Sequence, residues 1–586
     1  MFTIDAALEV LRERWGYSSF RPSQREAMRC IGEGDDVLAV LPTGTGKSLL
    51  FQLPALMEEG GTIVVSPLIA LMKDQVDAAQ ARGIPAACIN SNMDEDDQWD
   101  ALEGFVSGAY KLLYISPERI GVRSFLTAVQ RADVSIVAVD EAHCCSQWGH
   151  QFRPEYMHIH RLIRSLSDGE TRPQVLAMTA TATRIVVEDI VQSLGLKADE
   201  VSTLVADPIR PNLSYLVEDG GIDGYGNAWN IFRRIVRTFD VRDGRHIVYV
   251  NSRAGAEKLA EVCEEELWSG IAAPYHAGLT GEKRTAIQED FTDPSGAVKI
   301  ACATTAFGMG VDVPNIRTVV LFGYPGSLED YVQQTGRAGR DGLLSKTILI
   351  ADEMSASFQM RMIENENPPL QSYVLLWDWL HAQLQPGETL RASRMSISQA
   401  VSRQGVAAMN PDQVGVVLNR LHSVGLIERR PIEEGVPVKV KLDGLTEALA
   451  NPGKARPQIT HVWRAFAENC VKPAQAKAPA EDPLTVWINK TALKEASGLS
   501  PYYVTKALEA LLKRGAVLDI GKAQSGYLIK ILKWRVPLEV ELPVGRIEEK
   551  RARDFARFDR MRTFSRLLGE DERKDMLRHY FLHATE

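Results

Sequence analysis

Near the start of the chain, Leu41-Pro-Thr-Gly-Thr-Gly-Lys-Ser48 lies between the apolar run Val37-Leu-Ala-Val-Leu41 and the helical start Leu49-Leu-Phe-Gln-Leu-Pro54. It follows the phosphate-cradling pattern G-x-x-x-x-G-K-S/T loosely. Pro42, Thr43 and Gly44 stand where the first part of the loop belongs, and Gly44-Thr45-Gly46-Lys47-Ser48 is intact. A buried strand, a glycine loop and a helix N-terminus in that order form an anion site. The glycines let backbone N–H groups close on phosphate oxygens, and the helix end adds partial positive charge. Lys47 is placed to reach the outer phosphates of a nucleotide, and Ser48 to ligate Mg²⁺. The competing reading is an ordinary Gly-rich turn.

The surroundings favour the anion site. Thr62–Ser66, Lys111–Ile115, Ser135–Val139 and Val175–Met178 are short β-branched or aliphatic runs, with a helix expected over Leu68–Gly83. Strands alternating with helices predict an α/β fold with a doubly wound parallel sheet, whose ligands sit at the carboxyl ends of the strands. Asp140-Glu141-Ala142-His143 follows one such strand. Asp140 is expected to hold Mg²⁺ and Glu141 to polarise an attacking water. Two acids at a strand end are often only a solvated turn; the presence of Lys47 in the same domain favours the catalytic reading.

The next loop, Ser146-Gln-Trp148-Gly-His150-Gln151-Phe152-Arg153-Pro-Glu-Tyr156, gathers aromatic and basic-capable side chains. Aromatic faces stack on unpaired bases, each worth ~1–3 kcal/mol. Asp-Glu-Ala-His followed by this aromatic loop resembles the RecQ family of DNA helicases, although Cys145 and Gln151 depart from the usual pattern. RNA helicases share the acidic box but not the loop. The resemblance implies a role for several further segments. Tyr17, Arg21 and Gln24 are similar to the family's adenine-recognition motif. Ser66-Pro67 resembles a strand-tracking segment, and Ser116-Pro-Glu-Arg119 another DNA-facing turn. Thr179-Ala-Thr181 resembles the segment coupling hydrolysis to domain movement, with His143, Trp148, His150, Phe152 and Arg153 beside it.

The strand and helix pattern recurs after about residue 206, without a second phosphate loop. His246–Val250 ends in Asn251-Ser-Arg253, Val298–Cys302 leads to Thr304–Gly310, and Gln333-Gln-Thr-Gly-Arg337-Ala-Gly-Arg340 closes a helix. By the resemblance, Arg340 is an arginine finger with Gln333 and Arg337 beside it. Asn251 and Arg253 form a backbone-binding turn, and Thr304 belongs to a coupling motif.

In the last third, Asn410-Pro-x-x-Val414-x-x-x-Leu418-x-x-Leu421-x-x-x-Gly425 recurs as Ser500-Pro-x-x-Val504-x-x-x-Leu508-x-x-Leu511-x-x-x-Gly515. Each is an amphipathic helix with a Pro in its first turn and a Gly stop, followed by a hairpin-like segment. Two tandem winged helices are expected, joined by the Pro- and Ala-rich Lys472–Pro483. Arg429, Arg430, Lys439 and Lys441 on the first wing suit duplex phosphates. Tyr527 on the second is a candidate wedge, or equally a core residue. Phe558, Met561, Phe564, Leu577, Tyr580 and Phe581 should hold a last helical module. That module resembles the end of the family's zinc module without its cysteines, so no structural zinc is expected.

The expected order is thus two RecA-like domains (1–205 and 206–355), a winged helix (356–450), a helix and linker (451–484), a second winged helix (485–535) and a helical module (536–586). Composition agrees with a soluble globular chain: 45% hydrophobic, 24% charged, with seven cysteines and no C-x-x-C. No secretory leader or membrane span is read, and a cytoplasmic location is expected, nucleoid-associated in a prokaryote; a monomer is expected. The net charge of −9 neither announces nor excludes a nucleic-acid partner, because the relevant field is local to a groove. The resemblance implies an ATP- and Mg²⁺-dependent DNA helicase of repair or recombination, moving 3′ to 5′ on single-stranded DNA and acting on forked or duplex DNA. The alternatives are a translocating ATPase that does not separate strands and a winged-helix DNA-binding regulator switched by ATP. RNA unwinding is disfavoured by the aromatic loop.

Overall fold

Seven parallel strands form the first sheet: β1 (Asp36–Val40), β2 (Gly61–Val65), β3 (Ala86–Ile89), β4 (Leu112–Ile115), β5 (Val134–Val139), β6 (Gln174–Thr179) and β7 (Val201–Val205). Their order is β3-β4-β2-β5-β6-β1-β7. The central strands are continuous apolar runs because both faces are covered. Alternation then sends neighbours to opposite sides. Leu38, Val40, Ile63, Val65, Val137 and Val139 enter one core. Val37, Ala39, Val64, Ile136 and Ala138 enter the other. The computed structural model describes residues 2–583 apart from 68, 91–92, 147–152, 168–170, 222–224, 308–312, 403–408, 454, 478–482, 490–492, 494–495, 500, 521–523 and 535.

The second sheet is also parallel, in the order β10-β11-β9-β12-β13-β8. Its strands are β8 (Leu213–Asp219), β9 (Arg245–Val250), β10 (Ala272–Tyr275), β11 (Ile300–Ala303), β12 (Ile316–Phe322) and β13 (Ser345–Ala351). The two α/β lobes are those expected. They form one compact unit, Met1–Met360, together with Phe555–Glu586. Phe558, Met561, Phe564, Leu577, Tyr580 and Phe581 are buried, as the sequence suggests. They pack on the second lobe. Phe564 meets Tyr331 at 4.7 Å between ring centroids, and the Tyr580 hydroxyl donates to Glu329 Oε1 at 2.8 Å. The predicted 536–586 module is therefore divided, with its later part belonging to the first unit.

Residues Arg361–Asp554 form the second unit. Helices Pro411–Ser423 and Pro501–Lys513 occur where the repeat places them. Gly425 and Gly515, at φ of +73° and +72°, end them in the left-handed region that glycine enters without strain. The strands differ from expectation. Arg429–Val440, the body of the expected hairpin, does not fold back on itself. It lies in one long strand, β15 (Ile427–Val440), in an antiparallel sheet with β14 (Leu390–Ser393), β16 (Leu484–Asn489), β17 (Val517–Ile520) and β18 (Gln524–Ile531). The first part of β15 pairs with β18, and its last residues with β16 and β17. The first winged helix is thus completed by a strand assigned to the second, and the boundaries 356–450 and 485–535 do not separate two closed sheets. Lys472–Lys477, read as linker, is helical. Among the described residues no helix is long and apolar enough to cross a membrane.

Candidate functional site

The glycine loop leaves the carboxyl end of β1. Gly44 and Gly46 take φ of +80° and +79°, which a side chain would resist. Thr45 folds back on Pro42, its hydroxyl donating to the Pro42 carbonyl at 2.7 Å. Helix Leu49–Met57 starts next, and Lys47 Nζ lies 3.1 Å from the Leu41 carbonyl. The loop is braced from outside. Arg21 Nη1 donates to the Gly44 carbonyl at 2.7 Å, and Gln24 Nε2 to the Thr45 carbonyl at 2.7 Å. Gln24 Oε1 accepts from the Arg21 backbone N–H at 3.1 Å. Arg21 and Gln24, which the resemblance assigns to adenine recognition, thus also brace the loop; Tyr17 is 60% exposed.

Asp140 and Glu141 follow β5. Glu141 is the single non-glycine residue at positive φ (47°) among the described residues. Such strain is tolerated where surrounding contacts impose it, often at functional sites. The Asp140 carbonyl accepts from the Tyr156 hydroxyl at 3.0 Å. Burial and the neighbouring Glu141 push the Asp140 carboxyl up to about 7, against the pull of Lys47. Burial lowers Lys47 in turn; Glu141 and Asp140 oppose that shift, and Arg340 adds to it. Burial of the Asp140 carboxyl and the Lys47 ammonium favours the neutral form of each. A polyphosphate with a divalent cation would restore the charged ones.

His143 is buried, with Nδ1 2.9 Å from Thr179 Oγ1 and 3.3 Å from Glu141 Oε2. Thr179 in turn binds the backbone of Thr181, also buried. The acidic box is thus wired to the Thr-Ala-Thr segment. Arg153 Nη1 donates to the Pro67 carbonyl at 3.0 Å, joining the end of the aromatic loop to the segment beside Ser66. Trp148, His150 and Phe152 lie outside the described residues.

The second lobe contributes from the turn between helix Leu328–Thr335 and β13. A β-carbon on Gly44 would lie 3.0 Å from Arg340 Cγ, and one on Gly336 3.0 Å from Thr43 Cβ. The Arg340 side chain therefore lies against the glycine loop. Arg337 is buried and hydrogen-bonded to the Tyr249 hydroxyl. Burial lowers its pKa and the nearby Glu141 opposes the shift. The Tyr249 hydroxyl donates to the Phe307 carbonyl at 2.8 Å, tying Arg337 to the Thr304 segment. Gln333 is on the same helix, Leu328–Thr335. Asn251 Nδ2 donates to the Tyr324 carbonyl at 3.0 Å, and Arg253 is exposed at the start of helix Arg253–Glu266. Thr304 follows β11, so these expected DNA contacts share the carboxyl edge of the second sheet.

Tyr527 differs from expectation. It is mid-strand in β18, 8% exposed, with Arg429 stacked 4.8 Å from its ring centroid. Its hydroxyl accepts from Arg394 Nη2 at 2.6 Å. It is a core residue, and a wedge needs an exposed ring. Sequence reasoning also missed Tyr249 and Arg210, whose roles arise from partners 58 to 129 positions away.

Residues 21–190 match the DEAD/DEAH box helicase family and residues 229–342 the helicase conserved C-terminal domain. The chain is 36% identical over 360 residues to the probable ATP-dependent DNA helicase RecS of Bacillus subtilis, spanning 61% of this chain and 69% of that protein. It is 41% identical over 367 residues to the ATP-dependent DNA helicase RecQ of the same organism, spanning 61% and 58%. With that RecQ and those of Haemophilus influenzae and Pasteurella multocida it shares between 52% and 58% of their length. A crystal structure of the DUF1998 helicase MrfA bound to DNA shares the fold, with a TM-score of 0.51 at 20% identity over 60% of this chain and 52% of that one.

Proposed function

The chain belongs to the RecQ family of ATP-dependent DNA helicases, and from that premise we propose that it hydrolyses ATP between its lobes to travel 3′ to 5′ along one DNA strand and part the duplex ahead. The observation that carries this is the seating of Arg340, from the second lobe, against Gly44 of the phosphate loop in the first. Lys47 lies beside Asp140 and Glu141 there, Arg337 beside Glu141, and Arg340 beside both Lys47 and Arg337.

The residues present fit ATP with Mg²⁺. Gly44–Ser48 and Lys47 would hold the phosphates, Ser48 and Asp140 the metal. The nucleotide supplies the cleavable phosphoanhydride and the metal neutralises its charge. Glu141, held by its unusual backbone near His143, is placed to orient and deprotonate water. Arg340 then meets charge developing on the far side, a contribution worth roughly 10³–10⁵-fold in rate. His143, Thr179 and Thr181 link that event to the segments at the strand ends, where single-stranded DNA would lie along Ser66, Pro67, Arg153, Asn251, Arg253 and Thr304. The setting would be repair or recombination in the cytoplasm, acting as a monomer.

Tyr527 is buried, so the residue first assigned to strand separation is not available for it. That keeps a translocase that does not open duplex as the second reading. DNA-stimulated ATP hydrolysis, measured beside single-turnover strand displacement on forked, overhanging and blunt duplexes, separates them. Hydrolysis with displacement supports the helicase, and hydrolysis alone the translocase. No stimulation by DNA, or full activity in Lys47→Ala, would overturn both.

A further inference from the structure

The seven residues between β7 and β8 join the lobes. They are anchored at one end where the Ala206 backbone N–H donates to the Val40 carbonyl at 2.9 Å, at the foot of the glycine loop. Within them Arg210 spreads its guanidinium over the turn that carries the finger. Nη1 donates to the Gly336 carbonyl at 3.1 Å and the Ala338 carbonyl at 2.8 Å, and Nη2 to the Gly339 carbonyl. Asn212 adds a bond to Gly339 at 2.8 Å and one to Leu343 at 2.9 Å. The same guanidinium faces the first lobe, with Nη1 3.6 Å from the position of a β-carbon on Gly44. Burial lowers its pKa, and the nearby Arg340 and Arg21 push the same way.

A cation held among cations, capping three carbonyls of one turn, is a costly arrangement unless the turn must be fixed. Gly336, Ala338 and Gly339 alternate with Arg337 and near Arg340. Two glycines make this turn soft, since they restrict the backbone least. A planar fork can satisfy several acceptors at once and so freeze it; an ammonium cannot.

We propose that Arg210 is a positioning residue for hydrolysis: from the interlobe linker it locks the 336–340 turn so that Arg337 and Arg340 are presented to the phosphate loop. The inference rests on the ATPase reading above and assigns the linker a part in it.

The test uses the full chain with saturating single-stranded DNA. Arg210→Ala should lower kcat about 10–100-fold, the range expected when a catalytic group is displaced by about 1 Å. KM for ATP should change less than about threefold, because the phosphate cradle is untouched. Arg210→Lys should recover little of the loss. In an Arg340→Ala background Arg210→Ala should cost distinctly less than it does in the parent chain, since part of its effect runs through Arg340 and only the part through Arg337 remains. Without nucleotide, amides of 336–343 should exchange hydrogen faster in Arg210→Ala than in the parent chain. A kcat within about twofold of the parent, a loss confined to KM, a double variant whose losses multiply, or unchanged exchange would each overturn the proposal. If Arg210→Ala does not fold, Asn212→Ala, which touches the same turn, should show a smaller fall of about 3–10-fold; no fall overturns the proposal. An inactive parent chain would sink the motor reading, while the exchange comparison still decides whether Arg210 holds the turn.

Discussion

The two lobes each contain a parallel sheet and differ in what they contribute to the site. The first carries the anion-accepting loop, Lys47 and the Asp140–Glu141 pair. The second carries Arg337 and Arg340, braced by Tyr249 and Arg210, with no glycine loop of the first kind. Each is chemically incomplete: one binds without the final positive charge, the other stabilises charge without a cradle. Division of a reaction between lobes lets hydrolysis depend on their approach, which a single-lobe site would not permit.

The comparison breaks most sharply at the finger. Arg340→Ala should lower DNA-stimulated kcat by about 10³-fold or more with nucleotide affinity nearly retained. Lys47→Ala should instead abolish binding of a fluorescent ATP analogue. If both variants lose affinity alike, the lobes do not divide the work as described. Glu141→Gln, in the first lobe, should cost about 10²–10⁴-fold in kcat while binding persists, the usual range for a general base. Tyr249→Phe removes the hydroxyl between Arg337 and the Phe307 carbonyl. A net hydrogen bond of about 1 kcal/mol predicts a fall of about fivefold, read in steady-state hydrolysis.

The smallest effect is on stability. Burial beside Glu329 pushes the half-buried Asp330 carboxyl up to about 6. The folded protein therefore favours its neutral form. Its contribution is intact below the ordinary carboxylate range and is lost as pH rises from about 4 through 6. Asp330→Asn, always neutral, should be more stable than the parent by roughly 1–3 kcal/mol at pH 7.5 and by little at pH 4.5. Thermal melting at the two pH values checks it.

The second unit differs again in charge. Residues 361–554 hold 27 Lys and Arg against 21 Asp and Glu, within a chain of net charge −9. A local positive excess suits phosphates, but side-chain placement decides its use. Arg429, read as a wing cation, covers the Tyr527 ring, and Arg430 pairs with Glu428 at 2.7 Å.

Local pattern alone settled much. Apolar runs a few residues long, alternating with helices, dictate two parallel sheets, because each crossover helix returns the chain to lay the next strand in the same direction and covers a face of the sheet. It also placed Lys47, Asp140 and Glu141 just past strand ends and Arg337 and Arg340 just past a helix end. Helix punctuation by Asn410, Pro411 and Gly425 was equally readable, since capping acts within a turn. What tertiary structure decided was every choice made by distant partners: whether Arg429–Val440 turned or ran on to meet β18, β16 and β17, and whether Tyr527 was wedge or core. Hydrogen bonds and burial across a hundred residues leave no periodic trace in the chain, and antiparallel register is set by pairing energies that only the assembled sheet supplies.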